Sequence, residues 1–186
     1  ARSVPQLMGL EGEAASVYFG VFAHLLRAPG FVFDGRVRRP PADPVNALLS
    51  FAYVLLASEC ASALAGVGLD PYVGFLHQDR PGRKSLALDL MEELRAPMAD
   101  RFVLTLINRG QIKPTDFVTE ASGAVRLTED ARKALLTAYQ ERKKETLRHP
   151  YLEESIELGL IPHAQALLLA RHLRGDMAQY TPFTVR

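Results

Sequence analysis

The sequence contains a single cysteine, Cys60, among 186 residues. An internal disulfide is therefore impossible. Because Cys60 lies inside the apolar run AYVLLASECASALAG, it reads as a buried, reduced thiol of a cytoplasmic protein. A marked excess of either charge is also missing. With a net charge of +1 and a pI of about 8.1, bulk electrostatics names no partner. Nor is there an uninterrupted apolar run of membrane-spanning length. NALLSFAYVLLASECASALAG comes nearest, but Asn46, Ser50, Tyr53, Ser58, Glu59 and Ser62 interrupt it and no signal peptide precedes it, so the expectation is a core helix and no membrane contact. Several catalytic patterns are missing too. The chain has no G-x-S-x-G, no G-x-x-x-x-G-K, no H-E-x-x-H and no C-x-x-C, which sets aside a serine-hydrolase elbow, a P-loop, a zincin and a paired-thiol site.

What is present is ordinary globular composition, 48% hydrophobic and 23% charged, at a length that suits one domain with a substantial core. The fold class expected is mainly α: a single helical domain with one small β-hairpin at about 117–127, where DFVTEASGAVRLT alternates around Ser122 and Gly123. A first helix is expected over 9–27, with Glu11, Ala14, Ala15 and Tyr18 at helical offsets and small residues that admit a second helix closely. Asp43 as N-cap and Pro44 at the first helical position begin the clearest helix, which Gly66 and Gly68 end. Asn46, Ser50 and Tyr53 form a polar stripe along it, and something polar should face them. Two helices with a break near Pro97 are expected over 85–108. Thr128 caps a further helix, and a last one runs from Pro162 to Gly175.

The candidate chemistry begins with Asp89 and Glu92, three apart on one helix, where both carboxylates share a face as a divalent cation would require. An exposed acidic face is the plainer reading of that pair. His77 follows the apolar YVGFL, which anchors the imidazole near the core, and with the acids it makes a mixed nitrogen and oxygen set suited to manganese or magnesium. Glu11 is the natural further ligand, against the plainer reading of a first-turn acid interacting with the helix dipole, and Glu13 competes with it. Positive charge is concentrated locally at Arg36, Arg38 and Arg39, and again at Arg83 and Lys84, as phosphate-holding loops or as solubilising ones. The bases of ERKKE, interleaved with acids, read as an exposed helix end.

Four ordered stretches, GLEGEAASVYF, RRPPADPVNALLSFAYVLL, GLDPYVGFLHQDRPGRKSLALDLMEELR and QYTPFTVR, together resemble the CRISPR-associated spacer integrase, the metal-dependent endonuclease of CRISPR adaptation. The resemblance implies that 1–186 is the C-terminal helical catalytic domain of that family, without its N-terminal β-rich domain. It implies Mg²⁺ or Mn²⁺ on Glu11, His77 and Asp89, with Glu92 as a second acid of the catalytic helix. Arg38, Arg39, Asn46, Tyr53, Arg83 and Lys84 are then expected to line the DNA path. The implied partners are prespacer and repeat DNA, a small ferredoxin-like CRISPR adaptation protein, and a second copy of the chain in a homodimer. The activity expected is phosphodiester cleavage and strand transfer; the alternative is a non-catalytic helical DNA-binding or assembly module.

Overall fold

The computed structural model describes residues 3–184, so the last two residues of the QYTPFTVR ending lie outside the described residues. The architecture is mainly α. In chain order the elements are α1 (Val4–Phe22), α2 (Pro44–Gly66), α3 (Ser85–Leu94), α4 (Arg101–Asn108), β1 (Phe117–Thr119), β2 (Val125–Leu127), α5 (Glu129–Lys143), β3 (Thr146–Arg148), β4 (Ser155–Glu157) and α6 (Ile161–Leu173). The chain divides into two compact units: Ala1–Ala52 with Asp100–Ala138, and Tyr53–Ala99 with Tyr139–Arg186.

In the first unit, α1 starts earlier than its glycines suggest. The Gln6 side chain accepts a hydrogen bond from the Ser3 backbone N–H at 2.9 Å, and a proline stands in the first turn, so helix is established well before Glu11. Its glycines stand in open space within this chain: a Cβ added at Gly9, Gly12 or Gly20 would meet nothing within 4 Å. Most of α1 is exposed, and it is anchored at its C-terminal end, where Phe19 and Phe22 pack with Phe33 beneath the Tyr18 ring. α2 begins as its sequence requires. Asp43 Oδ1 accepts the Asn46 N–H at 2.8 Å, and Val45, Leu48, Leu49 and Ala52 are fully buried. The hairpin of β1 and β2 pairs Phe117 with Leu127 and Thr119 with Val125, as expected for 117–127.

In the second unit, α2 supplies Leu56, Cys60 and Leu64 to the core, all fully buried. α2 is long and apolar enough to cross a membrane by length and composition, yet these side chains are enclosed by protein, as a core helix requires. Its end is a Schellman turn in which Gly68, at φ +83°, lets the Leu69 N–H reach the Leu64 carbonyl at 2.9 Å. The break near Pro97 takes the form of a π-helical stretch, Arg95–Asp100, between α3 and α4, where the wider turn tolerates a residue without an N–H. A second two-stranded sheet, β3 with β4, was not legible in sequence. A buried polar network joins α3, α6 and the C-terminal segment: Gln165 Nε2 donates to Glu93 at 2.9 Å, the Phe183 N–H donates to Glu93 at 2.7 Å, and His149 Nε2 meets Gln165 Oε1 at 3.0 Å.

Candidate functional site

The loop from Leu69 to Lys84 returns onto the start of α3, because the Pro71 carbonyl accepts the Leu86 and Ala87 N–H groups at 3.0 and 3.2 Å. What fixes the loop is Asp89. Its Oδ2 accepts the Phe75 N–H at 2.6 Å and the Leu76 N–H at 3.0 Å, while Oδ1 accepts the His77 N–H at 2.9 Å and lies 2.7 Å from His77 Nδ1. A carboxylate has about four lone-pair directions, and here every one is used. Since a carboxylate only accepts, His77 carries its proton on Nδ1, and Nε2 is the nitrogen offered to a ligand. Gly74 makes the approach possible: a Cβ there would stand 2.6 Å from the His77 carbonyl oxygen, 2.7 Å from Ser85 Cβ and 3.0 Å from Asp89 Oδ2.

Glu92, one turn along α3, is half-buried and forms an ion pair with Arg95. The Arg95 guanidinium lies 5.3 Å from the centre of the Tyr53 ring, a cation–π distance. Arg95 was missed in sequence, although its place three residues after Glu92 in a helix was an available signal. Arg36 answers the rest of the polar stripe, donating to Asn46 Oδ1 at 2.7 Å and to Ser50 Oγ at 3.0 Å. Asn46 itself is fully buried. Its side-chain amide also donates to the Gly35 carbonyl at 2.9 Å and to Asp43 Oδ2 at 2.6 Å, and its Oδ1 accepts the Val37 N–H at 2.9 Å. Asn46 therefore holds the arginine-rich loop against α2. Arg38, Arg39 and Lys84 are exposed, while Arg83 is tied back to the Gln78 carbonyl and to Ser85 Oγ.

Glu11 belongs to the first unit, on a half-buried position of α1, seven residues after the helix begins. It is not a first-turn acid, so the helix dipole gives no reason for its presence there. Tyr18, two turns further on the same face, donates to Asp100 Oδ2 at 3.0 Å. Burial, the Asp100 charge and that hydrogen bond together push the Tyr18 hydroxyl well above its ordinary pKa. Burial, with Glu59 and Glu93 nearby, likewise raises the Cys60 thiol, which makes it inert as a nucleophile. ERKKE is less solvated than expected, because Lys143 pairs with Glu59 at 2.6 Å.

Taken for its donors, the second unit offers one imidazole nitrogen, backed by a carboxylate, and the Glu92 carboxylate on the same helix as that carboxylate. Imidazole with carboxylates suits a hard divalent cation that also keeps water ligands. Among the described residues, no group of three His, Cys, Asp or Glu side chains stands together as a ready metal cluster. The residues present fit a cation bound through His77 Nε2, with Asp89 behind the ring.

Comparison with known proteins gives consistent matches. A family model described as CRISPR associated protein Cas1 matches residues 1–141. A protein of Rhodospirillum rubrum named CRISPR-associated endonuclease Cas1 2 is 62% identical over 185 residues, which cover 98% of this chain and 54% of that protein. The chain thus spans about half the length of that curated relative. Among solved structures, a casposase bound to integration product matches with a TM-score of 0.87 at 26% identity, over 96% of this chain and 50% of that one. A chain of a Cas6-RT-Cas1–Cas2 complex matches with a TM-score of 0.82 at 30% identity, over 99% of this chain and 20% of that one.

Proposed function

The chain belongs to the CRISPR-associated Cas1 family, and from that premise we propose that it is the helical catalytic part of a metal-dependent DNA endonuclease and integrase. The reaction proposed is phosphodiester cleavage and strand transfer during spacer acquisition, in the cytoplasm. The observation that carries the proposal is the His77–Asp89 pair, since a carboxylate behind one ring nitrogen is the usual support of a metal-ligating histidine. Glu11, His77 and an acid of α3 would hold Mg²⁺ or Mn²⁺; the inclusion of Glu11 is supported by the family resemblance alone. Of the α3 acids, Asp89 is engaged by the loop and positions His77, and Glu92, held by Arg95 one turn along the same helix, is the acid assigned to the cation. The bound cation would supply Lewis acidity, offsetting charge on the phosphate and on the leaving oxygen.

The protein's own groups do the rest. His77, fixed as the Nδ1–H tautomer, presents its Nε2 lone pair without a rotamer search. Arg95 keeps the Glu92 carboxylate oriented and packs on Tyr53. Exposed Arg38, Arg39 and Lys84 position phosphates without reading bases, so DNA binding should weaken steeply with salt. Attack by a DNA 3′ hydroxyl breaks one phosphodiester and forms another, and no covalent enzyme intermediate is required. The partners proposed are prespacer and repeat DNA, a small ferredoxin-like CRISPR adaptation protein and a second copy of the chain; the match to a chain of a Cas6-RT-Cas1–Cas2 complex supports Cas2 as a partner.

Mn²⁺-dependent strand transfer on branched DNA tests this reading. Glu11→Ala, His77→Ala and Glu92→Ala should each lower the rate at least a hundredfold. Retained activity in all three variants would sink the assigned site, and DNA binding with no metal-dependent turnover in the unmodified protein would favour a non-catalytic DNA-binding module.

A further inference from the structure

The loop that carries His77 also exposes large apolar side chains. Tyr72, Val73 and Phe75 are 44%, 56% and 61% exposed. The backbone beneath them is held: the Tyr72 N–H donates to Asp70 Oδ1 at 2.9 Å, the Gly74 N–H to Asp79 Oδ1 at 3.2 Å, and the Phe75 N–H to Asp89 Oδ2 at 2.6 Å. Phe75 is thus an outward-facing aromatic residue on a fixed backbone, two residues from the proposed metal-binding histidine. Exposed cations follow in the same loop at Arg80 and Lys84.

We propose that Phe75, with Tyr72 as its neighbour in the loop, is a stacking platform for an unpaired base of single-stranded DNA beside His77. The inference rests on the DNA reading above and specifies the form of DNA that reaches the site. Every base has a π face that an aromatic ring can cover, and a duplex hides those faces within its own stack, so an exposed ring selects an unpaired base without reading its identity. Flanking cations add backbone attraction with the same indifference to sequence. A protein surface would value Phe75 for apolar area and would accept leucine there; a base requires the ring.

The test is fluorescence of 2-aminopurine placed in the unpaired overhang of a short duplex, titrated with this chain in EDTA so that no turnover occurs. The unmodified protein should quench the probe. Phe75→Leu should bind the overhang about tenfold more weakly and lose the quenching, Phe75→Trp should retain both, and a blunt duplex should bind all three equally. Equal quenching and affinity in Phe75→Leu would overturn the platform, as would an equal loss on overhang and blunt DNA, or failure of the unmodified protein to bind the overhang. Loss of self-association in Phe75→Leu with overhang binding unchanged would assign the patch to a protein interface, which also overturns it. Phe75-dependent quenching in a protein without metal-dependent turnover would support the platform while setting aside the nuclease reading.

Discussion

His77 Nδ1 lies 2.7 Å from Asp89 Oδ1, a contact between the middle of a glycine-containing loop and the second turn of α3. The same carboxylate accepts the backbone N–H groups of Phe75, Leu76 and His77, so the loop and the imidazole are ordered by one side chain. Loop shape and histidine tautomer are therefore coupled, and a change that moves the loop also releases the ring.

Gly74→Ala should show this coupling. The added methyl has no room against the His77 carbonyl oxygen and Ser85 Cβ, both under 3 Å away, so the loop must shift. Overpacking of this kind costs about 1–3 kcal/mol, readable by thermal or urea denaturation. Mn²⁺ affinity should fall at least tenfold. A variant with unchanged stability and unchanged affinity would show that the loop has slack the geometry denies.

Asn46→Ala should destabilise the first unit without touching the His77 loop. It leaves the Val37 N–H and the Gly35 carbonyl without their side-chain partner and loosens Arg36. A loss of about 2–3 kcal/mol in chemical denaturation is expected for a buried amide with this many partners. Near-native stability combined with a large specific loss of DNA binding would instead make Asn46 a direct DNA contact.

Alkaline stability follows from three tyrosines. Tyr18, Tyr139 and Tyr180 are each raised by burial first, then by the charge of Asp100, Glu59 and Glu93 respectively. In the unfolded chain they ionise near the ordinary value of about 10. A raised folded pKa means that the unfolded state loses protons first, so the stabilisation is complete below about pH 10 and declines as pH rises further. In a titration followed at 295 nm, each of Tyr18→Phe, Tyr139→Phe and Tyr180→Phe should remove one equivalent from the absorbance that appears only with unfolding. Loss of that equivalent from the early phase would contradict the burial argument.

How much of this was legible in sequence varies with the range of the interaction. Asp43, Pro44 and the closing glycines set the ends of α2 because caps act within a few residues, and the stripe of Asn46, Ser50 and Tyr53 announced polar partners, two of which are Arg36 and Arg95. His77 and Asp89 were legible as chemistry-bearing residues, but not as a mutual pair with Asp89 saturated by backbone donors. That depends on how a loop folds back onto α3, which no periodicity encodes. Tyr18 with Asp100 spans 82 positions and left no local trace. β3 and β4, three residues each, are too short for alternation to register. The glycines of α1 meet no neighbour within this chain, because glycine permits a close approach without requiring one.

The central claim is that His77 presents Nε2 to a divalent cation while Asp89 stands behind the ring. Pulsed EPR of bound Mn²⁺, read for ¹⁴N modulation, tests it most directly. The account predicts imidazole nitrogen coupling in the unmodified protein, its loss in His77→Ala, and weaker Mn²⁺ binding, by about 10–100-fold, in Asp89→Asn with the nitrogen signal preserved at saturation. Bound Mn²⁺ without nitrogen coupling, or coupling that survives His77→Ala, would contradict it.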